Sequence, residues 1–135
     1  MTPAALAPPD AVLAARLLQR VSFRDRLVAG RFRPPVGIMP GDIRSLSGLF
    51  LHLAPEPNSL PGVNLMRLSE WVRDVLGDAP LGAAIREAAS ASSCHVEGCM
   101  RVYDLVALRL AQADAVMAAR PASAGSDVPG EETRP

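Results

Sequence analysis

Apolar residues recur along most of this chain at spacings of three and four, the period of a helix with one buried face. Asp10, just after Pro8 and Pro9, is placed to cap a helix over residues 11–29, with Gly30 as its stop. Val12, Ala15, Leu18, Phe23 and Leu27 form its stripe. Asp42 predicts the start of a second helix over 43–53, carrying Ile43, Leu46, Leu49, Phe50 and Leu53 on one face. Leu51 and Gly48 make it the weakest of the set, and a strand over 49–53 competes with it. Asn64 caps a third helix that ends near Leu76, before Gly77. Leu65, Leu68, Trp71, Val72 and Val75 give it the clearest amphipathic stripe in the chain. Asp78 caps a fourth, with Pro80 in its first turn, where a missing N–H costs little. The last helix covers 99–119, with Val102, Tyr103, Val106, Leu110, Ala113 and Met117 inward. Arg101, Asp104, Arg109, Gln112 and Asp114 fall mostly off that face, and Arg101–Asp104 reads as a surface ion pair.

The proline- and glycine-rich stretches 31–41 and 54–62 read as loops. Residues 1–9 and the polar, slightly acidic stretch 121–135 have too little apolar surface to offset the entropy of ordering, which predicts disordered ends. What remains, 10–120, predicts one all-α domain: a compact four- to five-helix bundle with two proline-rich loops. A chain of 135 residues can bury roughly two-thirds of its unfolded surface, so it needs neither metal nor disulfide merely to fold.

Composition supports helix, with 49% hydrophobic residues but only 4% aromatic. The 14 cationic and 14 acidic side chains balance, so overall charge points to neither nucleic acid nor an anionic membrane. Every cation is Arg, which removes lysine Schiff-base and phosphate-loop chemistry. No apolar run approaches the ~20 residues of a membrane-spanning helix. Pro8, Pro9 and Asp10 interrupt the apolar start too early for a signal segment, and the expected location is the cytoplasm.

Chemistry-bearing residues gather in Ser92–Met100, SSCHVEGCM. Cys94, His95, Glu97 and Cys99 are all metal-ligand types suited to zinc or iron, and His95 and Cys99 share a helix face at i, i+4. The spacing matches no standard zinc, C-x-x-C or haem pattern, and His52 would have to complete the set from elsewhere. Alternatively, Cys99 packs as a small hydrophobe and Glu97 complements the helix dipole, with no cofactor bound.

Residues 16–33 carry six arginines against Asp25. Arg16, Arg20 and Arg24 would form a cationic ridge on the first helix, either simply solvated or facing an acidic partner; a nucleic acid is disfavoured without a recognition motif. Nucleophile elbows, phosphate loops and H-E-x-x-H motifs are absent from the sequence. The leading expectation is therefore a non-enzymatic accessory or adaptor protein acting through protein contacts or self-association. Its contact residues would be Arg16, Arg20, Arg24, Arg31, Phe32, Arg33, Ile38 and Met39. The alternatives are a metal or thiol-redox sensor at Cys94, His95 and Cys99, with His52 and Glu97, and a nucleic-acid accessory factor using 16–33.

Overall fold

A computed structural model describes residues 6–56 and 59–119; of the stretches expected to be disordered, 1–9 and 121–135, residues 1–5 and 121–135 lie outside the described residues, while Leu6 and Pro9 are buried. In chain order the elements are helix α1 (Ala11–Leu17), a 3-10 turn (Phe23–Asp25), strands β1 (Leu27–Arg33) and β2 (Gly37–Ile43), and helix α2 (Leu46–Leu53). Strand β3 (Leu60–Pro61) and helices α3 (Leu65–Asp74), α4 (Ala79–Ala91) and α5 (His95–Ala119) follow. The strands form one antiparallel sheet in the order β2-β1-β3. The protein is mixed α/β, and the all-α expectation is overturned.

The error lies in residues 11–43. Asp10 does cap α1, its carboxylate accepting the Leu13 N–H at 2.8 Å. The helix stops at Leu17, and Leu27–Ala29 is strand: Leu27 and Ala29 point inward while Val28 points out. Three residues of alternation are too few to stand out from helical spacing. The expected loop 31–41 is instead most of a hairpin, turned through Pro34-Pro35-Val36 with Gly37 at φ +103°. Only glycine adopts that φ without strain.

The prolines sit where a ladder tolerates them. The Gly30 carbonyl accepts from Gly62 N–H at 2.7 Å, so its backbone groups face β3. Pro40, opposite Gly30 on β2, therefore turns its nitrogen to the sheet's open edge, where no N–H is required. Ile43 ends β2, and Ser45 rather than Asp42 caps α2, accepting from Gly48 N–H at 2.9 Å.

The later helices follow their caps. The Asn64 side chain accepts from the Met66 and Arg67 amides, and Asp78 from the Leu81 amide. Between α3 and α4, Gly77 at φ +77° reverses the chain. These two helices approach closely at Gly82, where a Cβ would lie 2.8 Å from the Ser69 carbonyl oxygen. Helix α5 packs against α1, α2 and α4. Leu17, Leu46, Leu49, Leu68, Leu76, Leu81, Ile85, Val102 and Val106 form the fully buried apolar centre. Trp71 belongs to this core, and its indole N–H donates to the Asp25 carbonyl at 2.7 Å, holding the 3-10 turn against α3.

One buried cluster is ionic. Arg109, expected off the buried face of α5, is 1% exposed. It grips the fully buried Asp78 with two arms, Nε at 2.7 Å and Nη2 at 2.9 Å. Its Nη1 donates to the Ala7 carbonyl and to Gln112, whose amide in turn donates to the Leu6 carbonyl. Leu6 and Pro9 are buried alongside. Among the described residues, no helix is long and apolar enough to cross a membrane.

Candidate functional site

The start of α5 brings two of the expected ligands together. The helix begins at His95, four residues earlier than its apolar stripe suggests, so His95 and Cys99 do share a face. Cys99 Sγ lies 3.3 Å from His95 Nε2, and that nitrogen is 2.8 Å from the Pro61 carbonyl oxygen on β3. A carbonyl can only accept, so Nε2 carries the hydrogen and the sulfur shares it. The ring's lone pair is then on Nδ1, on the other side from the thiol. Burial pushes the Cys99 thiol up to about 11, which keeps it protonated at neutral pH. Cys94 is exposed and unpaired.

Glu97 is occupied by its own helix start. It accepts from the Ser93 amide at 2.9 Å and the Ser93 hydroxyl at 2.6 Å, and it pairs with Arg101 at 2.7 Å. The Ser93 hydrogen bonds, with Arg101 beside them, hold its carboxyl below the usual range. Arg101 thus pairs one turn back with Glu97 instead of with Asp104. His52 stands apart, half-buried on α2, its Nε2 shielded from water with no hydrogen-bond partner. Burial, then the Arg31 guanidinium, lowers its pKa. Among the described residues, no three His, Cys, Asp or Glu side chains converge as a metal site. An open groove of about 410 Å³ runs beside α5, lined in part by Asn64, Met66, Ala89, Ser92, Cys94 and His95.

The arginines of 16–33 scatter rather than align. Because α1 ends at Leu17, Arg20 and Arg24 lie beyond it and the expected ridge does not form. Arg16 leans over the Gly77 turn. Arg31 turns inward, donating to the carbonyls of His52 and Ala54 and to the Ser59 hydroxyl, which closes the C-terminal end of α2. Arg33 pairs with Glu56 at 3.1 Å.

The hairpin exposes what its residues suggested, but on strands. Phe32 pairs with Ile38 on one side and Leu60 on the other; Gly30 pairs with Pro40, and Val28 with Asp42. These alternate positions share the outward face of the sheet. Val28 is 71% exposed, Ile38 64%, and Phe32 and Leu60 40% each. Met39 is exposed on the opposite face. At the far end Phe23, also exposed, lies under the Arg26 guanidinium at 3.8 Å, with Arg44 6.0 Å from the same ring. Phe23, expected on the buried stripe of a first helix, is instead 55% exposed in the 3-10 turn; Val28, Arg26 and Arg44 were not expected at a contact surface. Comparison with known proteins finds no matching family model, no matching curated protein and no matching solved structure.

Two outcomes follow from the buried groups. Thiol titration of the native protein near neutral pH should modify Cys94 and spare Cys99 until the chain unfolds; rapid modification of both would contradict the buried thiol. The lowered pKa of His52 also fixes a sign. The unfolded ring, near its ordinary 6.5, takes a proton before the folded ring does. Stability is therefore lost as pH falls through 6.5, by no more than about 1.4 kcal/mol per pH unit from this group. Urea unfolding should show that loss between neutral and mildly acidic pH, and His52→Leu should flatten it. An unchanged slope in the variant would place the effect elsewhere.

Proposed function

We propose that this protein is a non-enzymatic accessory or adaptor domain that works through protein contacts, with the outward face of its hairpin as the contact surface. The observation that carries this reading is the adjacency of Phe32, Ile38 and Leu60, exposed and in register across three strands, with the exposed Val28 farther along the same face of β1. Single exposed apolar residues are ordinary, but a cross-strand group of them is a surface that gains by being covered. The sheet beneath is fixed by Arg31, whose side chain ties β1 to the end of α2, so the face is presented without rearrangement.

The start of α5 supports a metal or redox role less well. His95 donates from Nε2, Cys99 is a buried thiol, and Glu97 is spent on Ser93 and Arg101. Two free thiols suit a reducing compartment such as the cytoplasm.

Phe32→Asp combined with Ile38→Asp tests the reading. The two carboxylates stand opposite each other across β1 and β2, so circular dichroism should hold while the urea midpoint falls modestly. Light scattering of the purified chain and affinity capture from lysate should show self-association or partners that the double variant loses. A strict monomer that captures the same proteins with and without the substitutions would refute the assignment.

A further inference from the structure

The hairpin's outward face changes character along its length. At the β1–β2 turn end it is apolar, with Phe32, Ile38 and Leu60 side by side. At the other end Arg26 and Arg44 flank Phe23, and Arg24 is exposed in the same 3-10 turn. The Val21 amide donates to the Arg44 carbonyl at 2.7 Å, which brings the backbone next to the exposed Arg20 to this end of the sheet. Four arginines and two acids belong to this end of the chain's hairpin. Asp42 sits 3.8 Å from Arg26, and Asp25 accepts from the Ser22 hydroxyl. The cationic end thus carries a surplus of positive charge that its own acids do not match.

We propose that this face binds a short peptide segment of a partner protein, one with apolar side chains at one end and a cluster of Asp or Glu at the other. The inference rests on the protein-contact reading above and adds the partner's chemistry and direction. The apolar side chains cover Phe32, Ile38 and Leu60, while the acids meet Arg20, Arg24 and Arg26. From Arg26 to Phe32 the strand spans roughly 20 Å, the reach of about six extended residues. The segment lies across the face rather than extending the sheet, because Pro40 presents a nitrogen without hydrogen to the open edge of β2. A second copy of the chain is a poorer occupant, since the two acids of this face, Asp25 and Asp42, already engage Ser22 and Arg26. A nucleic acid would leave the apolar Phe32–Ile38–Leu60 end uncovered.

Display selection of random short peptides on the immobilised full-length chain is the direct test. Enriched peptides should combine apolar residues with a terminal acidic cluster. Binding of a synthetic enriched peptide should weaken with salt and drop about tenfold in Arg24→Glu/Arg26→Glu. The charge-reversed chain should in turn select basic or neutral peptides, a change that loss of folding cannot produce. Enrichment of apolar peptides with no acidic preference would overturn this inference and leave the protein-contact reading standing. No enrichment, with Phe32→Asp/Ile38→Asp capturing the same proteins as the parent, would end both. A dimer in light scattering that Phe32→Asp dissolves would assign the face to a second copy. Low-salt binding of a labelled duplex or single strand, lost on charge reversal, would assign it to nucleic acid. Either result overturns the proposal.

Discussion

Asp78 and Arg109 form a two-armed ion pair at 2.7 and 2.9 Å that water does not reach, and three parts of the chain meet on it. Asp78 follows the Gly77 reversal that ends α3, and it caps α4 through the Leu81 amide. Arg109 projects from the middle of α5 and also holds the Ala7 carbonyl. Helices α4 and α5 and the segment before α1 are therefore positioned by one pair of side chains 31 residues apart. Such a pair stabilises little relative to a well-packed apolar substitute, because removing both charges from water costs several kcal/mol. What it supplies is uniqueness: any other alignment of α5 against α4 strands a charge in the core, and that costs about 3–5 kcal/mol.

With the helices fixed, the sheet has one place to go. Helix α2 packs on α5, and its carbonyl end is closed by Arg31 from β1. His95, one turn before Cys99, donates to the Pro61 carbonyl and ties β3 to the start of α5. Of the side chains that looked most like chemistry, His95 joins sheet to helix, Cys99 lies buried against its ring, and Glu97 closes its own helix start. The outward hairpin face is left free of such duties.

The legible parts of the fold were those with local causes. Asn64 and Asp78 are helix caps that can be read from three or four residues of sequence, and the stripe of α3 is buried as its spacing predicts. The hairpin was hidden because Pro34, Pro35 and Pro40 read as loop; only the Gly30–Gly62 hydrogen bond shows why a ladder accepts Pro40 where it stands. Arg109 was hidden for another reason. On a helical wheel a charge is assigned to water, and its partner Asp78 is distant in sequence with a complete role of its own. At the candidate surface, Phe32 and Ile38 are exposed as their segment suggested, whereas Arg31, next to Phe32, turns inward. Strand alternation decides that difference, and helical or loop readings contain no alternation.

A double-mutant cycle on the central pair tests this account most directly. Asp78→Asn retains a good helix cap while removing the charge, and Arg109→Met removes the other charge at similar length. Urea unfolding should give a loss of about 3–5 kcal/mol for either single change, with the double variant recovering a large part of it. Strictly additive losses, or single variants as stable as the parent, would show that the Asp78–Arg109 pair does not hold the fold together.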